Sequence, residues 1–400
     1  MEGFNFTDIL LYLLLLAALA TGWWLGRRSM AAGTGGRRSG QPPSKDYFIG
    51  LNYLLNDEPD DAIDIFIYSL EINSSTLETH MALGTLLRRR GKVDRSIAVY
   101  QDLLGRSGFS TSELQEIKIN LVQSYISAGL LDRAEHLLGE LRREKGGIKI
   151  KALVQSAHVY QLEKDWENGI HALIELLKVC PPARRQEYQH LASHFYCELA
   201  EQEMDNEHMS RARDFLHEAV AMDKGNVRVS MLRGKLETLC GNHGEAIKSY
   251  IQVRKQDPAF MADVFLPLVA CYRNAGKQKG LNKFIQSCRE EDSNATVLLG
   301  LADFLEKEEG AAAANAFLME KLEAKSSLRL LLRALSLQVQ QGSAAGNENA
   351  LYRRVLNDYI ESKAQYRCQN CGFELKTLHW HCPSCSGWGS VKHVMGILGE

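Results

Sequence analysis

The sequence predicts an all-α protein: a solenoid of helical hairpins behind an N-terminal transmembrane helix, ending in a small four-cysteine knuckle. Three observations lead there. Residues suited to helix contacts recur at a fixed spacing, an uncharged apolar run opens the chain, and two Cys-x-x-Cys pairs lie close together near residue 400. At 400 residues the chain exceeds what one compact core usually holds. Its 8 prolines leave room for long helices. Apolar content of 45% and charged content of 24% are those of a folded protein. The net charge of −2 supplies no basic field for a phosphate backbone, which argues against nucleic acid as a partner.

The first element is the anchor, read over residues 1–28. Ile9 to Leu25 carries no charged residue and is long enough, with Phe4 and Phe6, to cross a bilayer. Trp23 and Trp24 stand where an interfacial aromatic belt would lie. A cleaved signal peptide is the competing reading. It would need a positive n-region, and Glu2 and Asp8 are the charged residues before the run. Arg27, Arg28, Arg37 and Arg38 all follow the span, so the positive-inside rule leaves the N-terminus outside and the long body in the cytoplasm. Residues 29–44, rich in Gly, Ala, Ser and Arg, read as a flexible tether whose arginines can touch anionic headgroups.

The second element is a repeat array over 45–362. Gly50, Tyr53, Ala62 and Phe66 recur as Gly84, Leu87, Ser96 and Tyr100, and Ala200, Ala212, Leu216 and Ala219 recur as Gly234, Ala246, Tyr250 and Val253, each by subtraction 34 residues on. That period, with small residues at helix crossings and aromatics beside them, is the tetratricopeptide (TPR) signature. Two antiparallel helices cross closely where a Gly or Ala sits, and large side chains fill the adjoining space. Leu121, Tyr125, Ala134 and Leu138 fit a further unit, and Ala157, Tyr160, Gly169 and Leu173 the next. Asp257-Pro258 closes a late repeat; Leu268, Tyr272 and Leu281 make another; lower-fidelity hairpins run from Ala295 to Leu356, with a loop expected over Gly342–Asn349. About seven to nine repeats result. First helices should line a concave, partner-binding face. Arg88, Arg89 and Arg90 read as a solvated helix C-terminus or a grip for an acidic partner. Cys180, Cys197, Cys240, Cys271 and Cys288 read as small buried hydrophobes in a reducing compartment.

The third element is a metal knuckle over 363–400. Cys368-x-x-Cys371-Gly and Cys382-Pro-Ser-Cys385 can place four thiolates around one centre, and no thioredoxin-like βαβ context supports a redox pair. The expected ligands are Cys368, Cys371, Cys382 and Cys385, with His379 and His381 beside the site. A closed four-thiolate site suits zinc, and iron by ligand softness. Tyr366, Trp380 and Trp388 form an aromatic collar expected to pack the knuckle onto the last repeats. With no open metal position and no phosphate loop, HExxH or GxSxG motif, the chain reads as a non-enzyme. His158 and His194 read as packed within repeats.

Anchor, array and knuckle in this order resemble the lipopolysaccharide assembly protein B family of Gram-negative bacteria, along essentially the whole chain. The membrane-proximal GWWLGRRS, HFYCELA from His194 to Ala200, YRCQNCGF and WHCPSC carry the likeness. The resemblance implies rubredoxin-type ligation by Cys368, Cys371, Cys382 and Cys385 and favours iron; the gap between the pairs, shorter than in true rubredoxins, keeps zinc open. It also implies a single-pass inner-membrane protein, N-terminus periplasmic and body cytoplasmic, that restrains lipopolysaccharide synthesis. Implied partners are a membrane-anchored AAA+ zinc protease, the UDP-3-O-acyl-N-acetylglucosamine deacetylase committing that substrate to lipid A, and a lipopolysaccharide-sensing inner-membrane protein. The alternative is a scaffold or co-chaperone for lipopolysaccharide assembly without a proteolytic role, and homo-oligomerisation stays open. An electron carrier using iron at the knuckle is the third class considered.

Overall fold

The structure, a computed structural model, describes residues 76–291, 294–340 and 346–400, with the single positions Thr21, Ile49 and Tyr53. The expected anchor and tether, and Gly50, Ala62 and Phe66 of the first repeat, lie outside those residues. Among the described residues no helix is long and apolar enough to cross a membrane. The chain divides into two compact units between Asn120 and Leu121.

In the first unit α1 (Leu77–Arg89) and α2 (Val93–Gly105) form an antiparallel hairpin. Gly84 shows why the repeat demands a small residue, since a Cβ there would fall 2.6 Å from the Tyr100 ring. The Tyr100 hydroxyl donates to Met81 O at 2.9 Å, and Ser96 Oγ donates to Gly84 O at 2.7 Å, so the crossing is satisfied as well as close. Arg88 and Arg89 do end α1, where cations favour the helix dipole. Helix α3 (Thr111–Ser127), within which the division falls, opens on a capping box: Ser110 N–H donates to Glu113 at 2.7 Å and Glu113 N–H to Ser110 Oγ at 3.3 Å.

The second unit continues through α4 (Leu131–Leu141), α5 (Gly147–Glu163), α6 (Trp166–Val179), α7 (Pro182–Asp205), α8 (Met209–Met222), α9 (Val227–Leu239) and α10 (His243–Gln256). A 3-10 turn, Pro258–Phe260, leads into α11 (Met261–Asn274), α12 (Gln278–Glu291), α13 (Ala295–Glu309), α14 (Ala311–Ala324), α15 (Leu328–Gln340) and α16 (Gly346–Ser362). From α5 onward the helices pack as successive hairpins, the architecture of a TPR α-solenoid. The Gly–aromatic contact returns: a Cβ on Gly234 would lie 2.3 Å from Tyr250, and one on Gly169 2.7 Å from Phe195. Among the described residues, one apolar core cluster runs from Leu153 to Leu236 and another from Ala246 to Leu337. Pro258 takes over directly after α10, where its ring cannot continue the helix.

Two expectations are corrected. The loop expected over Gly342–Asn349 gives way to helix from Gly346, because Asn and Glu ahead of an apolar-periodic stretch suit a helix start as well as a loop. Cys240 is exposed, unlike the other four cysteines of the array: it caps α9 beyond the last buried turn, and Arg213 reaches its Sγ at 3.8 Å.

Beyond α16 the chain forms a three-stranded antiparallel sheet, β1 (Tyr366–Cys368), β2 (Glu374–Leu375) and β3 (Val391–His393), in the order β2-β1-β3. Tyr366 pairs with Leu375 on one side and His393 on the other. Arg367 and Glu374, opposite one another, form a 2.6 Å ion pair on the exposed face.

Candidate metal centre

Strand β1 delivers Cys368, and the tight turn behind it delivers Cys371. Gly372 N–H closes that turn on Cys368 O at 2.9 Å, with Gly372 at φ +78°. The second pair repeats the geometry: Ser386 N–H closes on Cys382 O at 2.9 Å, with Ser386 at φ +57°. Two like turns thus face each other, and all four sulfurs lie within 4.8 Å of one another. Cys368 and Cys385 are 3.7 Å apart, as are Cys371 and Cys382. Sulfurs at tetrahedral corners with bonds of about 2.3 Å stand about 3.8 Å apart, so the donor set fits one four-thiolate metal ion.

The electrostatics call for a cation. Burial pushes the Cys368 thiol up, but hydrogen bonds from Ser390 and from the N–H groups of Cys371 and Asn370 bring it down to about 6. The Gly387 N–H lowers Cys385, and burial with the neighbouring thiols outweighs it, pushing that thiol up to about 12. Crowded sulfurs cannot all ionise by themselves, whereas a metal ion coordinated at the centre would hold all four as thiolates. Its chemistry there would be structural: the four cysteines would close the shell, and coordination would supply folding free energy. His379 and His381 stay outside the cluster. His379 meets Thr377 at 3.1 Å on the surface, and His381 is turned to the array, where Gln161 Nε2 donates to its Nε2 at 3.0 Å.

The knuckle is seated on the first helices of the hairpins. Trp388 Nε1–H donates to Gln161 Oε1 on α5 at 2.9 Å, and its ring stacks on His194 of α7 at 5.1 Å and meets Phe195 edge-on. Trp380 stacks on Phe260 at 5.2 Å. Between the two indoles lies the Arg228 guanidinium of α9, 5.8 Å from one ring and 5.9 Å from the other. Arg228 is 2% exposed and is charge-balanced by Glu198 at 2.8 Å and by Glu201. Asp263 of α11 accepts from the Tyr366 hydroxyl at 3.0 Å and from His393 Nε2 at 2.8 Å; Lys392 pairs with Asp257 at 2.7 Å. The aromatic collar therefore packs against the middle of the array as well as its later part, which corrects the expectation of docking on the last repeats. Tryptophan rings need deep apolar partners, and α5, α7 and α9 supply them through Phe195 and its neighbours.

Under Trp388 sits a linked pair of imidazoles. His190 Nδ1–H donates to Asp223 at 2.7 Å, leaving its Nε2 to accept from His194 Nε2–H at 3.2 Å. His194 is buried, and burial first, then His190, Arg228 and His381, hold its pKa well below the ordinary imidazole value. Sequence reasoning found the four cysteines and the tryptophans. It missed Gln161, Arg228, Asp257 and Asp263, whose contacts reach 103 to 227 residues along the chain and leave no periodic trace.

A family profile described as "Rubredoxin metal binding domain" matches residues 366–393, which hold all four cysteines. Among solved structures, a tetratricopeptide repeat protein from Parabacteroides merdae is similar at 14% identity and a TM-score of 0.35, over 66% of this chain and 99% of its own. The lipopolysaccharide assembly protein B of Haemophilus influenzae is 32% identical over 96% of this chain and 98% of its own. That of Escherichia coli (strain K12) is 35% identical over 98% of this chain and 99% of its own. With a relative that close along nearly its full length, the chain belongs to the lipopolysaccharide assembly protein B family.

Proposed function

We propose that the protein is a non-enzymatic, inner-membrane-anchored adaptor of lipopolysaccharide control, its body on the cytoplasmic side. Its task is to promote destruction of the deacetylase that commits UDP-3-O-acyl-N-acetylglucosamine to lipid A, by a membrane-anchored AAA+ protease. The observation that carries this reading is the end-to-end family relation, which spans the apolar N-terminal run, the array and the knuckle together. An anchor confines the adaptor to the protease's membrane and raises its effective concentration there. A solenoid surface suits an adaptor because it offers a long face without catalytic machinery. A lipopolysaccharide-sensing membrane protein would oppose the degradation by engaging the same assembly.

The test is the half-life of the deacetylase in cells containing or depleted of this protein. A several-fold longer half-life on depletion supports the adaptor. An unchanged half-life sinks it and leaves the second reading, a scaffold for lipopolysaccharide assembly, which the name of the relatives favours. The metal would be iron or zinc, to be decided by elemental analysis of the purified protein.

A further inference from the structure

Glu400 is 2% exposed, yet its side chain is charged. The carboxylate takes the Thr296 backbone N–H at 2.8 Å, the Thr296 hydroxyl, and Arg329 Nη1. Arg329 Nη2 in turn donates to Thr296 Oγ1 at 2.7 Å, so guanidinium and hydroxyl are tied to each other as well as to the acid. Thr296 is the second residue of α13 and Arg329 the second of α15, one repeat apart on successive first helices. Repeat geometry alone therefore assembles this seat. A cavity of about 170 Å³, lined among others by Lys363, Gln365, Thr296 and Arg329, adjoins it.

The segment that delivers Glu400 is held differently. It closes on itself, Glu400 N–H to Val394 O at 2.8 Å and Gly396 N–H to Glu400 O at 3.0 Å, and a Cβ on Gly399 would lie 1.7 Å from Val394 O. Met395 and Ile397 stand 58% and 53% exposed, and Leu328 N–H to Ile397 O at 2.9 Å is its backbone bond to the array. Fixing such a turn did not require a buried carboxylate, since an apolar side chain would do so without desolvating a charge. A preassembled anion seat filled from a small exposed turn is the arrangement of an exchangeable ligand.

We propose that the Thr296–Arg329 seat recognises a glutamate or aspartate side chain on an acidic partner peptide, and that Glu400 fills it in cis until such a segment displaces it. The inference stands apart from the proteolytic reading, and its test is made on the purified chain alone. The probe is a labelled, C-terminally amidated peptide with the sequence of residues 394–400, so that its glutamate is its one carboxylate. Titrated against detergent-solubilised full chain, it should bind Glu400→Gln at least about tenfold more tightly than the unaltered chain. Adding Arg329→Gln to that variant should remove the gain, and a peptide with Gln for Glu should bind neither form. Equal binding to both chains, or binding that survives Arg329→Gln, overturns the proposal. Should Glu400→Gln unfold, hydrogen exchange on the unaltered chain decides: saturating peptide should speed exchange at Gly396 and Glu400 N–H, and unchanged rates overturn it.

Discussion

Arg228 is held by two carboxylates from α7 and two indoles from the knuckle, so its removal strips charge partners and ring partners at once. Breaking a buried pair by deleting one partner costs about 3–5 kcal/mol. Arg228→Ala should therefore expose residues 363–365, between α16 and β1, to limited proteolysis while the cysteines still bind metal; an unchanged cleavage pattern would count against the docking role. His194 adds a pH dependence of known sign. Its native form stays neutral below the unfolded value of about 6.5, so the unfolded chain binds the extra proton and stability falls as pH drops beneath that value. The loss approaches ~1.4 kcal/mol per pH unit and vanishes above about pH 7. Melting at about pH 7.5 and 5.5 should show a wider gap for the natural chain than for His194→Gln.

Helix by helix, the array answers to its Gly–aromatic crossings. Gly234→Val would drive a side chain into the Tyr250 ring and should cost about 1–3 kcal/mol, read as a lower denaturation midpoint, whereas Gly139→Ala, with open space around it, should change little. In the knuckle the two turns differ in one respect: Gly372 and Ser386 share the left-handed conformation, which strains serine. Ser386→Gly should therefore raise thermal stability, or leave it level, and Gly372→Val should lower it by about 1–2 kcal/mol. These elements were legible in the sequence because each rests on local spacing, 34 residues on for the crossings and three on within each cysteine pair. The docking surface was not legible. Gln161, Asp257 and Asp263 are ordinary polar residues on helix faces, and nothing in their neighbourhoods distinguishes them from solvated ones. The loop misread at Gly346–Asn349 belongs to the same limit, because caps and turns draw on the same polar residues.

Across the second unit, the knuckle converts a row of nearest-neighbour repeats into a cross-braced body. A solenoid's stability is normally a sum of repeats and adjacent interfaces; here one small metal domain touches α5, α7, α9, α11, α13 and α15 within its own reach and that of its tail. Stripping the metal with a chelator should consequently loosen helices that hold no ligand. Hydrogen exchange should quicken in α7 and α9 as well as in residues 366–393, and a response confined to the knuckle would refute the brace.

That long-range seating also sets a timetable for synthesis. Gln161 leaves the ribosome 227 residues ahead of the Trp388 that covers it. At about 5–20 residues per second, the interval is about 11 to 45 seconds. Through it the hairpins can already form from their own local contacts, while Arg228 and the aromatic floor beside His194 stand open to whatever else is in reach. The seated knuckle is thus a mark of maturity, made only once translation has passed Trp388.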